Sequence, residues 1–267
     1  MALNSNLDFY GFVENNKYMG ISVNQVFSNS NKNKQQDEDI NDSNNTIYEL
    51  KQIIGKMGGD VTFEFPDTVT NKSFEVLLKN NGTVKMMDDY TSTKALVYPL
   101  APTSTVTLNL NGKTLDFGNA TQSIMTRGNQ ELTVKGNGTF KNTQGGILFY
   151  CNSNTSVINI GGSNTKTFYE GNRPNAELVY CYKGTINITG GIFKNGGSNY
   201  LLNCYDANYK NGTAKIVVSG GKFYDFDPGN NIAEGDGTSF LAEGYVTTAA
   251  TVTEEDGEHT VYTVKKG

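Results

Sequence analysis

One histidine, two arginines and three cysteines are all that 267 residues hold of the side chains that most often do chemistry. His259 lies in a charged tail with Glu254, Glu255, Asp256 and Glu258, where a solvated ring is expected. A nucleophilic triad then has no base. Arg127 and Arg173 stand away from any acidic cluster in the sequence, so the basic residue and cation site of a lyase are not paired. Cys151, Cys181 and Cys204 have no C-x-x-C spacing, which removes the common zinc patterns, and an odd count argues against a disulfide framework. No run approaches the ~20 apolar residues of a membrane helix. The first twenty residues carry Asn4, Asn6, Asp8, Glu14, Asn15, Asn16 and Lys17 and no apolar signal core, so no secretory route is expected. On that expectation the Asn-x-Ser/Thr triplets at Asn71, Asn81, Asn119, Asn137, Asn154, Asn187 and Asn211 are turn residues. The net charge of −5 comes from intermixed acidic and basic residues, and a nucleic-acid partner would want a basic patch.

What the chain does have is glycine, 30 residues of it, at the ends of a repeated phrase. The phrase is two alternating apolar residues, a Gly-rich turn and a bulky apolar residue. It runs Leu108-Asn109-Leu110-Asn111-Gly112-Lys113-Thr114-Leu115, then Leu132-Thr133-Val134-Lys135-Gly136-Asn137-Gly138-Thr139-Phe140. It continues as Ile158-Asn159-Ile160-Gly161-Gly162, Ile186-Asn187-Ile188-Thr189-Gly190-Gly191-Ile192-Phe193 and Ile216-Val217-Val218-Ser219-Gly220-Gly221-Lys222-Phe223. A quieter phrase alternates with it: Ile147-Leu148-Phe149-Tyr150-Cys151, Leu178-Val179-Tyr180-Cys181-Tyr182 and Leu201-Leu202-Asn203-Cys204-Tyr205. A period of roughly 24 to 30 residues with at least two short strands and no helical pattern predicts an all-β solenoid over residues 60–226. The three cysteines fall at one register of the quiet phrase, so a column of packed free thiols is expected. The low hydrophobic content, 36%, suits an elongated stack with a thin core.

The flanks differ. Residues 1–27 carry Leu3, Leu7, Phe9, Tyr10, Phe12, Val13 and Tyr18, too apolar for a free tail, and are expected to attach to a partner or to pack back on the body. Residues 28–45 have the polar composition of a tether. Residues 46–59 predict a helix, with Thr46 and Glu49 as a capping box and Gly58-Gly59 as its stop. Its Ile47, Leu50, Ile54 and Met57 share a face, suited to capping the solenoid or to joining a small bundle. Residues 227–267 predict a small β cap, with strands at 240–246 and 260–264.

Catalysis by paired carboxylates would fall to Asp225 with Asp227 or Asp88 with Asp89, but both pairs read better as turn and surface charge. No cofactor or metal is expected. Tyr180, Tyr182, Tyr205, Tyr209 and Tyr224 gather in the later coils, and Tyr180, Tyr182, Tyr205 and Tyr209 are the expected glycan contacts, because a tyrosine offers an apolar face with a polar tip.

Gly58-Gly59-Asp60-Val61-Thr62 and the run Val106 to Leu115 resemble the opening of right-handed parallel β-helix proteins of gut bacteria and their phages. Gly220-Gly221-Lys222-Phe223-Tyr224-Asp225-Phe226-Asp227-Pro228, Phe240-Leu241-Ala242-Glu243-Gly244-Tyr245 and Tyr262-Thr263-Val264 are similar to the ends of phage head-fibre and tail-associated β-helix proteins. The resemblance covers residues 58–267. It implies a structural virion protein of a tailed phage, a homotrimeric capsid fibre assembled in the host cytoplasm. Residues 1–27 would bind a capsid or other virion protein, the helix would join the trimer, and the coils would touch host surface glycans. A tailspike polysaccharide depolymerase and a bacterial surface adhesin are the alternatives.

Overall fold

The computed structural model describes residues 82–92, 104–118, 120–142, 146–162, 167–171 and 176–267, with the backbone of the short strands Val13–Glu14, Lys17–Tyr18, Thr62–Phe65 and Leu96–Val97. Its architecture is a parallel β-solenoid. Each turn contributes to three columns of parallel strands, and alternation along each strand sends apolar side chains inward.

The loud phrase builds the first column. Thr62–Phe65, Gly82–Met86, Ser104–Asn109, Gln130–Lys135 and the later strands stack with Val84, Leu108, Val134, Ile160, Ile188 and Val218 in one register. All six are buried. The bulky residue after the glycine turn builds the second column: Tyr90, Leu115, Phe140, Tyr169, Phe193 and Phe223 align rung on rung. The quiet phrase builds the third, with Ile124, Phe149, Val179 and Leu202 aligned, and Thr126, Cys151, Cys181 and Cys204 beside them. The long strands Ile147–Ile160 and Val179–Lys194 turn the corner and join the third column to the first; the second of them continues into the second column.

The cysteines are free and buried. The Cys181 Sγ donates to the Gly184 carbonyl at 3.4 Å and the Cys151 Sγ to that of Ser156 at 3.5 Å. The neighbouring Cys181 thiol and burial push the Cys151 thiol far up. These are packing groups, because the reactive form of cysteine is the thiolate.

Asparagine does two jobs. Asn111, Asn142, Asn195 and Asn208 donate to backbone carbonyls at the corners, of Met86, Ala120, Ala176 and Tyr182 respectively. Asn187 is no turn residue: it lies in strand Val179–Lys194 and donates to Asn159 Oδ1 at 2.9 Å, while Asn159 donates to Glu131 Oε1 at 2.9 Å. The shared register of Asn159 and Asn187 lets one amide satisfy the other, which a reading by triplet does not reveal. A five-residue helix, Asp206–Lys210, also interrupts the repeat, in which no helical pattern was read.

The cap strands are longer than the sequence indicates, and the first is displaced. Phe240 and Leu241 make bridging contacts to Val218, with the Val218 N–H donating to the Phe240 carbonyl, and no strand runs over 240–244. The cap strands are Tyr245–Glu254 and Gly257–Lys266, an antiparallel hairpin with ten residues in each strand. The second strand pairs antiparallel with residues 221–224, so the hairpin extends the second column past the last turn. The predicted helix at 46–59 lies outside the described residues. So does most of the attachment segment, apart from the antiparallel pairing of Val13 with Tyr18.

Glu234 closes the third column. Its carboxylate accepts from the Cys204 N–H, standing where a next strand would otherwise offer a carbonyl, while its second oxygen is buried without a partner among the described residues. Burial pushes the carboxyl up to about 7; Asp206 adds to this, and the Cys204 N–H and Lys210 oppose it. A raised carboxylate favours the folded state most below its unfolded value near 4.5 and loses that advantage as pH climbs to about 7. Glu234→Gln keeps an acceptor for Cys204 and removes the titration. The variant is expected to gain on the order of 1 kcal/mol over the parent at pH 8, after allowance for solvent screening, and nothing at pH 4. Urea denaturation at the two pH values checks it.

Candidate functional site

Two surfaces gather functional side chains. The first lies outside the third column. Because Phe149, Cys151, Val179 and Cys181 point inward, Tyr150, Tyr180 and Tyr182 must point out. Tyr150 packs on Tyr180 with ring centroids 5.2 Å apart, and Tyr182 packs on Tyr205 at 4.9 Å. Lys183 Nζ sits 5.8 Å from the centre of the Tyr182 ring. Asn203, in register with Tyr180, donates to Glu177 Oε1 at 3.2 Å. Burial raises the hydroxyl pKa of Tyr150 and of Tyr180, so both stay neutral donors. Three of the four expected tyrosines, Tyr180, Tyr182 and Tyr205, thus share one face. Tyr209 does not: its ring packs edge-on to Phe240 at 6.2 Å and helps to seal the core. Tyr150 was missed, although its place in the quiet phrase is that of Tyr180.

The second surface lies where the hairpin meets the second column. Outward positions there form a ladder of alternating charge, Asp116, Lys141, Glu170 and Lys194 in consecutive rungs. A groove of about 350 Å³ runs along it, lined by Lys141, Glu170, Lys194 and Asp256 among others. Lys194 Nζ reaches Glu254 Oε2 and Asp256 Oδ2, each at 2.8 Å, and the Tyr224 hydroxyl donates to Glu254 Oε1 at 2.7 Å. Lys194 and then Tyr224 hold the Glu254 carboxyl below its ordinary range; Lys194 and His259 hold Asp256 down at about 2.

His259 is the correction here. It is no solvated tail residue: its side chain is 14% exposed and clasped on both nitrogens, Nδ1 to Asp225 Oδ2 at 2.7 Å and Nε2 to Asp256 Oδ1 at 3.0 Å. Antiparallel pairing of Tyr224 with Val261 brings these residues together across 34 positions, and sequence spacing holds no signal for it. Asp225 sits at φ 54°, an uncommon backbone region for a non-glycine residue, and its other oxygen accepts from the Thr260 N–H at 2.9 Å. Asp227 accepts from the Gly229 N–H at 2.8 Å in a tight turn, and Asp89 from the Thr114 N–H at 2.7 Å. Asp225, Asp227 and Asp89, three of the four acidic residues weighed as catalytic pairs, are thus engaged in separate structural bonds. Glu254, Asp256 and His259 bring potential ligand atoms within 4.8 Å of one another, but Lys194 already supplies their counter-charge.

Both carboxylates, Asp225 first, raise the His259 pKa. A raised histidine stabilises the fold fully below its unfolded value, about 6.5, and loses this as pH rises through the folded value. Asp256 works in the opposite sense: its contribution is present above its ordinary value of 3.8 and lost as pH falls through about 2. The clasp is therefore complete between about pH 4 and 6.5. His259→Gln is expected to lower the melting temperature of the parent at pH 5.5 and to change it much less at pH 9. Melting curves at both pH values check this.

The attachment residues Leu3, Leu7, Phe9, Tyr10 and Phe12, and the trimer residues Ile47, Leu50, Ile54 and Met57, lie outside the described residues. Among the described residues no helix is long and apolar enough to cross a membrane. The fold and its surfaces define the class, a parallel β-solenoid with a hairpin cap. No protein-family model, curated protein or solved structure matches the chain.

Proposed function

We propose that the protein is a structural component of a tailed-phage particle: a capsid fibre built on a right-handed parallel β-helix, whose flank contacts host surface glycans. The right hand follows from the general rule for parallel crossover connections. The observation that carries the reading is the spending of the reactive groups. His259 is held on both nitrogens and so is no free base; Asp225, Asp227 and Asp89 each accept structural hydrogen bonds; the cysteines are packed. Residues so committed favour a scaffold over the depolymerase reading, which needs two carboxylates free to face a sugar.

The tyrosine face supports the glycan part. Tyr150, Tyr180, Tyr182 and Tyr205 offer apolar ring surface beside the amide of Asn203, which suits stacking under a sugar with hydrogen bonds at its rim. Residues 1–27 supply the attachment to the particle. Antibody labelling of particles should place the protein on the capsid, and deletion of residues 1–27 should leave a soluble fibre absent from particles. Labelling on the tail alone, or retention after the deletion, overturns the assignment. A glycan array on the purified chain tests the flank. Loss of signal in Tyr182→Ala/Tyr205→Ala supports the assignment, and unchanged signal refutes it.

A further inference from the structure

The hairpin ends the second column on an open edge. Strand Tyr245–Glu254 pairs with Gly257–Lys266 on one side and, among the described residues, with no strand on the other. It reads Tyr-Val-Thr-Thr-Ala-Ala-Thr-Val-Thr-Glu, and from 245 to 253 it has no charge, proline or glycine. Seven of its ten residues are exposed, Val246 at 42%. Proteins blunt a free edge with lysine, proline, a bulge or a cover, and this strand has none of these within it. Its threonines and valines favour strand pairing instead.

The charges at its ends say what fits. Tyr245 and Val246 lie opposite Lys266 and Lys265, so one end of the hairpin is basic. Glu254, Glu255, Asp256 and Glu258 make the other end acidic. Lys194 engages Glu254 and Asp256, leaving Glu255 and Glu258 as the outlying acids. A strand added in parallel from a second copy would set acid beside acid and lysine beside lysine. Added antiparallel, it sets each lysine end about 10 Å, two strand spacings, from the acidic end of the other copy. That separation exceeds the Debye length of about 8 Å at physiological salt, so the attraction is largely screened there and selects the antiparallel direction most strongly at low salt. A two-fold axis normal to the sheet at Ala250, near the strand centre, sets Ala250 of each copy opposite its counterpart on one face, makes the same edge its own partner and leaves no open end.

We propose that two copies of this chain join end to end through strand 245–254, forming one antiparallel sheet that runs from one solenoid into the other. This goes beyond the fibre assignment and departs from the trimer expected of residues 46–57. The full chain in sedimentation equilibrium at micromolar concentration should weigh twice its 29.1 kDa. Ala250 is exposed in the single chain, so Ala250→Lys should leave the melting temperature of the monomer intact. In the dimer it sets two lysines against each other, and the variant should sediment as a monomer. An equimolar mixture of Ala250→Lys and Ala250→Glu should restore a dimer holding one of each. A wild-type monomer or trimer, or an Ala250→Lys variant that stays dimeric, overturns the proposal.

Discussion

Phe193→Ala is expected to destabilise the protein by about 3–5 kcal/mol, the range for deleting a fully buried aromatic ring. The ring is fully buried in the middle of the second column. Tyr169 stacks on one side with centroids 4.7 Å apart and planes at 19°; Phe223 stacks on the other at 4.9 Å and 6°. Each neighbour is fixed by the strand that carries it, so neither can swing in to fill the space, and the cavity term adds to the transfer term. The loss also propagates along the axis. A solenoid is held by nearest-neighbour interfaces, and Phe193 belongs to two of them. Chemical denaturation of variant and parent measures the loss. Phe168→Ala, on the neighbouring rung Thr167–Glu170 but 41% exposed and pointing outward, is the control and should cost under 1 kcal/mol, as surface changes do.

That contrast also explains what could be read in the sequence. The columns were legible because each rung repeats a local rule. Apolar alternation names the inward residues, and the interval between Leu132, Ile158 and Ile186 gives the register without any long-range information. The cysteine column was legible for the same reason. The cap was not. Thr247 to Thr253 lacks apolar alternation because both sides of that strand are largely exposed, so nothing in its pattern announces a strand. The His259 clasp was hidden for a different reason. It depends on an antiparallel return that sets residue 259 beside 225, and among the described residues the repeat contains no antiparallel step to extrapolate from. A charged tail and a clasped histidine look the same until that pairing exists. The tyrosine face falls between: its register could be read, but Tyr209 shares the composition of the face and packs half-buried against the core because a helix, Asp206–Lys210, carries it there.

The glycines at the corners give the second large effect. Gly161 and Gly162 are adjacent and both have positive φ, +102° and +121°. Alanine at either position meets the same kind of backbone penalty, about 1–2 kcal/mol for an L residue held in a left-handed region. The surroundings then separate them. A Cβ on Gly161 would lie 2.5 Å from the Gly190 nitrogen and 2.6 Å from its oxygen; among the described residues a Cβ on Gly162 meets nothing within 4 Å. The obstacle at 161 is the backbone of the next rung, so no rotamer can clear it. The rungs must part at that corner, which also strains the bond from the Gly161 N–H to the Val134 carbonyl at 2.9 Å. Overpacking of this kind adds about 1–3 kcal/mol. Gly161→Ala should therefore cost about 2–5 kcal/mol and Gly162→Ala about 1–2. Denaturation midpoints for the pair decide the matter. Equal losses would mean that φ alone sets the cost and that the corner can open freely. A larger loss at 161 would show that close stacking of successive turns fixes glycine there, and that the spacing between coils is as much a property of these corners as of the columns between them.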